Sequence, residues 1–388
     1  MPSPSILVTG ATGLLGSYLI RDLLARDVPL AVLARPSRKQ SARDRVEALV
    51  AGWETCLGRP LPRPTVIEGD LTRDGCGLDA DAIRWVGRHC GQVLNNAASL
   101  AFVGADRDGE PWRTNVGGIR NVLALAEAAG IRHVHHVSTA YVCGLRSGTV
   151  LERDLDCGQS FGNDYEASKA EAERLVRTAA HLDSATVYRP SIIVGDSHTG
   201  YTSTYHGYFA TLRLGHTLLT RVPIGSTSGR ALLTLLGIDP GASKNFVPVD
   251  WVSAVIAGAV VNPAVRGETL HVTHPRPLSM AFVAELVQEA VESYSEAAAA
   301  DDPDRCDEQW FADNLRTQLG VYAPYFRNDP VFDTATLERF ASRVACPTLD
   351  RDTMLRMSKF AIAHEFGRHP PSLVPIEPER RRRPARSL

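Results

Sequence analysis

The sequence predicts an α/β fold, a doubly wound parallel sheet with a smaller, mostly helical C-terminal subdomain. Three observations carry this. Short apolar runs alternate with amphipathic stretches of helical length through the first half of the chain, as successive βαβ units do. The first run ends in a glycine-rich turn, Thr9-Gly10-Ala11-Thr12-Gly13-Leu14-Leu15-Gly16. After Gly195 the alternation gives way to Gly-, Thr- and Pro-rich segments around scattered helical patterns.

In order, Ile6–Val8 reads as a buried strand, Leu14–Ala25 as a helix and Pro29–Ala34 as a second strand. Arg45–Gly58 is a polar helix, and Thr65–Glu68 a third strand ending in Gly69-Asp70-Leu71-Thr72. Gln92–Leu94 is a fourth strand, Asn115–Ala129 an apolar helix and His133–Ser138 a fifth strand. Helix Tyr165–Ala180 and strand Ala185–Arg189 complete the series. Beyond it come an apolar helical stretch from Tyr205 to Leu219, a strand at Phe246–Asp250, a small-residue helix at Val252–Val261 and a last strand at Thr269–Thr273. The expected division is residues 1–195 with 246–274 as a nucleotide-binding domain and 196–245 with 275–369 as a substrate-binding subdomain. Residues 370–388, proline-rich with Arg380–Arg383 in a row, read as a disordered basic tail.

Composition excludes several classes. At 388 residues, 44% hydrophobic and 22% charged, the chain has the make-up of an ordinary folded protein. A formal net charge of −2 gives no electrostatic case for nucleic acid or acidic membranes. No apolar run is long enough to span a bilayer, and no signal peptide precedes the first strand. The seven cysteines are scattered without a Cys-x-x-Cys, which argues against a disulfide framework or a zinc site and points to a reducing, cytoplasmic setting. His133, His135 and His136 lack a second ligand group and read as structural, so no metal is expected.

Gly10, Gly13 and Gly16 lie between a strand and a helix, where a dinucleotide site requires them. Glycine permits the tight turn and close approach of a pyrophosphate, and the helix N-terminus offers free N–H groups to its charge. The end of the second strand, Leu33-Ala34-Arg35-Pro36-Ser37-Arg38-Lys39, holds no carboxylate for a ribose 2′-hydroxyl. Arg35 with Arg38 or Lys39 could grip a 2′-phosphate, which favours NADPH; alternatively Arg35 stacks on adenine. Asp70 could accept from the adenine amine or cap a turn. In Asn95-Asn96-Ala97-Ala98, the small Ala97 and Ala98 stand where the backbone must pass close to the cofactor.

Tyr165-Glu-Ala-Ser-Lys169 is the second strong signal, in a chain whose other lysines are Lys39, Lys244 and Lys359. An ammonium one helical turn from a phenol favours phenolate and keeps donors for a ribose hydroxyl. Thr139, following the fifth strand, places a hydroxyl at the end of the sheet that faces the ligand crevice. Thr139, Tyr165 and Lys169 are thus the candidate catalytic set.

Together these motifs resemble the extended short-chain dehydrogenase/reductase superfamily, over roughly residues 5 to 275, with a Rossmann-like nucleotide-binding domain. The resemblance adds Thr9, Thr12, Leu14, Leu71, Asn96, Asn115, Ser138, Arg189, Pro190, Ser191 and Ile192 to the implied cofactor-binding positions. Val137–Val142, Tyr188–Ser197 and Asn245–Val252 are most similar to the branch holding carrier-protein thioester reductases and fatty acyl-CoA reductases of secondary metabolism. Asn95-Asn96 departs from that branch, which often has a His there. The branch implies NADPH, the Thr139/Tyr165/Lys169 triad, and reduction of an acyl thioester on coenzyme A or a separate acyl carrier protein to an aldehyde or onward to an alcohol. A homodimer is also a family expectation. The rival readings are a ketoreductase or secondary alcohol dehydrogenase acting on a polyketide, steroid or sugar-like scaffold, and a non-catalytic NADP-binding sensor.

Overall fold

The computed structural model describes residues 3–104, 106–219, 237–295 and 327–368, with the isolated positions 229, 233 and 373. Seven strands form one sheet: β1 (Ser5–Thr9), β2 (Leu30–Ala34), β3 (Thr65–Glu68), β4 (Cys90–Asn95), β5 (His133–Val137), β6 (Ser184–Pro190) and β7 (Thr269–Val272). Their spatial order is β3-β2-β1-β4-β5-β6-β7, and every pairing is parallel. The order reverses between β1 and β4, so a crevice opens at their carboxyl ends.

Strands β1 and β2 are apolar on both faces because both faces are covered. Ile6 and Val8 of β1 and Val32 of β2 share one core with α1 (Leu14–Leu24), α2 (Ala42–Leu57) and α7 (Val249–Val260). Leu7, Ala31 and Val93 point the other way, into a core with α3 (Ala80–His89), α4 (Gly118–Ala128) and α5 (Asp164–Arg177). Each such Val, Leu or Ile side chain contributes about 1.5–3 kcal/mol on burial. A third cluster joins α6 (Tyr208–Leu219), α8 (Met280–Tyr294) and α10 (Arg351–Ala363) through Tyr208, Phe209, Leu286 and Met357. A parallel ribbon of Ile192–Val194 with Phe246–Pro248 links that cluster to the sheet. The short α9 (Ala335–Ala341) packs against β7.

Sequence and structure differ at identifiable points. Helix α3, whose ten residues bury only Val86 fully, is absent from the sequence reading. The helix expected from Asn115 starts as a π-turn, Arg113–Gly117, and becomes α-helical at Gly118. The strand expected at Phe246–Asp250 stops at Pro248, the N-cap of α7, so Val249 and Asp250 are helical. Of the tail expected at 370–388, only Leu373 falls among the described residues, and it packs near Gly52 of α2. No helix among the described residues is long and apolar enough to cross a membrane.

Candidate active site

The glycine turn is built by close backbone packing. Gly10 has φ +69°, and a Cβ there would lie 2.6 Å from the Ala97 nitrogen. A Cβ on Gly16 would lie 2.0 Å from the Gly10 carbonyl oxygen. Thr9 ties the ends of β1 and β4 together: its hydroxyl donates to Asn95 Oδ1 at 2.7 Å and accepts from the amides of Asn96 and Ala97, both at 3.2 Å. Asn96 Nδ2 donates to the Gly10 carbonyl at 3.2 Å. Gly13 is the N-cap of α1, with no side-chain cap and no acidic residue in the first turn. The first N–H groups of α1 therefore stay open to an anion.

Above this turn lies a cavity of about 500 Å³. Gly10, Thr12, Gly13 and Leu14 form its floor, and Arg35, Asp70 and Leu71 one end. Asn96, Ala97 and Ala98 line it from just past β4, Ser138 and Thr139 from just past β5, Tyr165 and Lys169 from α5, and Pro190, Ser191 and Ile192 from the end of β6 and the start of the ribbon that follows. Asp70 Oδ1 accepts from the backbone and the hydroxyl of Thr72, at 3.0 and 2.9 Å, so the turn-capping arrangement is present while the residue still faces the cavity.

Five expected positions stand off the cavity wall, each for a visible reason. Thr9 and Gly16 act beneath it, through the strand tie and the helix packing just described. Arg38 is exposed on the loop after β2. Asn115 is buried, its Nδ2 donating to the Ser99 carbonyl at 3.1 Å and to Ser168 Oγ at 2.9 Å. Arg189 is turned into the protein, where it pairs with Glu173 at 2.7 Å. Conversely, the sequence reading passed over Arg45. From the first turn of α2 it lines the cavity, donating to the Arg35 carbonyl at 2.6 Å and to Thr12 Oγ1 at 3.0 Å. Ser41, which caps α2 at the Asp44 amide, was the available signal that Arg45 sits in a first helical turn.

Tyr165 and Lys169 face the cavity because Asn163 caps α5 two residues before Tyr165, accepting from the Glu166 amide at 2.9 Å. Burial pushes the Tyr165 phenol up to about 12, and a hydrogen bond with Thr139 acts in the opposite sense. Lys169 is 2% exposed, and its Nζ donates to the Val137 carbonyl at 2.7 Å. Burial brings its ammonium down to about 8, opposed by the charge of Glu173. The expected lowering of the Tyr165 pKa by Lys169 is therefore not what these surroundings produce: desolvation dominates the phenol. His135 and His136 have the structural role expected of them, bonding Tyr188 at 2.9 Å and Asn95 at 3.1 Å.

The far end of the cavity is apolar. Phe102 packs edge-on against Tyr165, with ring centres 6.1 Å apart, and His206 lies edge-on to Phe102 at 6.3 Å. Tyr141 adds a ring whose hydroxyl is committed to Asp329 at 2.8 Å.

Comparison with known proteins agrees with this geometry. Residues 8–256 match the NAD-binding family described as male sterility protein. The nonribosomal peptide synthetase asaC of Aspergillus flavus is 29% identical over 294 residues, which are 71% of this chain and 27% of that protein. Among solved structures, the terminal R domain of the myxalamid PKS-NRPS biosynthetic pathway superposes with a TM-score of 0.73 at 23% identity, covering 95% of this chain and 92% of that one. A thiolation-reductase di-domain from an archaeal nonribosomal peptide synthetase superposes with a TM-score of 0.65 at 18% identity, covering 94% of this chain and 76% of that one. The chain thus spans about a quarter of the synthetase's length and nearly the whole of the R domain. It belongs to the male sterility protein family of NAD-binding domains. Its fold is of the extended short-chain dehydrogenase/reductase type and is shared with the solved terminal R domain.

Proposed function

We propose that this member of the male sterility protein family is an NADPH-dependent reductase of acyl thioesters, presented by coenzyme A or a carrier protein. The observation that carries the reading is the convergence of Thr139, Tyr165 and Lys169 on a cavity that runs from the glycine turn to the apolar Phe102–His206 end. The backbone cradle at Gly10 and Ala97, the open start of α1 and the flanking Arg35 and Arg45 fit a dinucleotide. When bound, that cofactor supplies the hydride. Tyr165, hydrogen-bonded to Thr139, donates its proton to the carbonyl oxygen as the carbonyl carbon is reduced. Lys169, held by the Val137 carbonyl, keeps N–H groups to orient a ribose hydroxyl. The resulting hemithioacetal breaks its C–S bond, giving an aldehyde and a free thiol. The apolar end, lined by no carboxylate among the described residues, suits an uncharged acyl group.

The test is NADPH oxidation with acyl-CoA and with acylated carrier protein, thiol release being followed in the same assay. One thiol per NADPH is the expected result for reduction to the aldehyde, and one per two NADPH for reduction to the alcohol. Turnover of ketones alone, with no thiol, would place the protein among ketoreductases instead.

The preference for NADPH is supported by the absence of a carboxylate at the end of β2 and by Arg35 and Arg45 on the cavity wall. Arg45 bridges the loop after β2 and the glycine turn, which holds its charge on the cavity wall beside Arg35. Arg45→Ala is expected to raise the KM for NADPH about 10- to 100-fold, one charge-assisted hydrogen bond's worth. The KM for NADH should change far less; parallel KM measurements with the two cofactors check this.

A further inference from the structure

We propose that Glu173 is a positioning residue of this site: it fixes the helix bearing Tyr165 and Lys169 against the end of β5 and supplies the counter-charge for Lys169. This deepens the nicotinamide reading above and rests on it. Tyr165, Lys169 and Glu173 are spaced i, i+4 and i+8, along one face of α5. Three consecutive residues at the end of β5 meet them. Thr139 bonds Tyr165, the Val137 carbonyl takes Lys169 Nζ at 2.7 Å, and Ser138 Oγ donates to Glu173 Oε2 at 2.7 Å. The strand end and the helix face are thereby locked in register.

Glu173 is the anchor of the three. Its side chain is 0% exposed, and it accepts from Arg189 Nη2 at 2.7 Å, Arg189 Nε at 3.1 Å and Arg177 Nε at 2.8 Å as well as from Ser138. Arg189 is itself held by the Asp154 carbonyl at 2.6 Å and the Glu152 carbonyl at 3.3 Å. A carboxylate buried this completely and bonded on both oxygens stays charged, and its neighbours hold it well down, to about 2. The other charged or titratable groups around Lys169 are placed on each packed element. His136 of β5 is kept neutral by burial and by the Lys169 charge. Arg189 comes from β6, and Arg177 from the end of α5. Arg120 of α4 is turned to the outer flank of α5, where it meets Glu171. Glu173 is thus the nearby negative charge that opposes desolvation of Lys169.

The sign follows. Removing the Glu173 charge leaves Arg189 and Arg177 uncompensated, so the ammonium loses its proton at lower pH; removing the Arg177 charge does the reverse. Lysines are few, Lys39, Lys169, Lys244 and Lys359, so the Lys169 Nζ resonance can be assigned by Lys169→Met in protein labelled with nitrogen-15 lysine. It can then be titrated without any cofactor. The expected midpoint is near 8 in the wild type, lower by about one pH unit or more in Glu173→Gln and nearly restored in Glu173→Asp. In Arg177→Gln it should rise by a few tenths of a unit, roughly. The alkaline limb of kcat should move in parallel, with the KM for substrate little altered. An unmoved midpoint in Glu173→Gln overturns the inference. If that variant does not fold, Arg177→Gln decides: a raised midpoint supports the role and an unchanged one overturns it. Lost turnover in Tyr165→Phe together with an unmoved Lys169 midpoint in Glu173→Gln rejects this inference alone, whereas full turnover in Tyr165→Phe rejects the catalytic reading on which it rests.

Discussion

Tyr165→Phe is expected to lower kcat about 10²- to 10⁴-fold, the usual contribution of a positioned general acid, while NADPH still binds. The substitution removes one oxygen and keeps the ring, so the edge-on packing with Phe102 survives. Only the proton donor and its bond with Thr139 are lost. Rapid-mixing measurement of NADPH oxidation, beside a fluorescence titration of NADPH, separates the two effects. A variant that binds NADPH and reduces thioester at the wild-type rate would remove Tyr165 from the chemistry. The direction of the phenol's shift sharpens the expectation. Burial pushes it up to about 12, so at neutral pH it is a phenol, able to donate to a developing oxyanion. That protonation state suits reduction of a carbonyl. Oxidation of an alcohol needs phenolate as base, and should therefore be slow at neutral pH.

What the sequence made legible follows from how local each feature is. The glycine turn, the strand ends and the Tyr165–Lys169 spacing are short-range patterns, and their residues reach one cavity because a parallel sheet delivers all its carboxyl ends to one edge. Arg189 turns into the protein and Pro190 reaches the cavity wall for one and the same reason. Successive strand residues face opposite ways, and nothing in Tyr188-Arg189-Pro190 says which side Arg189 takes until Glu173 is known to be buried opposite it. Arg45 went unread because it lies ten residues beyond Arg35, across a turn whose course Ser37 and Gln40 determine. Helix α3 was legible and was missed: Ala82, Ile83 and Val86 fall on one helical face behind Asp79, which caps the helix at the Ala82 amide. The mutual fit of α6, α8 and α10 is a long-range packing property, absent from any local window.

Gly10→Ala and Gly13→Ala should separate the structural from the ligand-binding role of the glycine turn. At Gly10 the backbone is left-handed, φ +69°, and the added Cβ would meet backbone atoms of Asn96 and Ala97 at 2.6–2.9 Å. Neither can move without pulling β4 away from β1, which Thr9 holds together. Left-handed strain of about 1–3 kcal/mol and overpacking of about 1–3 kcal/mol combine to a destabilisation of roughly 2–6 kcal/mol. Gly10→Ala should therefore lower Tm by many degrees and abolish NADPH binding together. Gly13 has φ −81°, and the nearest atom to its added Cβ is the Gly10 carbonyl oxygen at 3.5 Å, an ordinary contact. Its methyl would instead project at the cavity floor, where a pyrophosphate must approach the first N–H groups of α1. Gly13→Ala should keep a near-wild-type Tm while NADPH affinity falls more than about tenfold, the equivalent of one lost or lengthened charge-assisted hydrogen bond. Thermal unfolding and NADPH titration on the two variants decide it. Unchanged affinity in a stably folded Gly13→Ala would mean that the phosphates do not sit over this helix, whereas a normal Tm in Gly10→Ala would mean that the β1 turn can open from Ala97 without cost to the sheet.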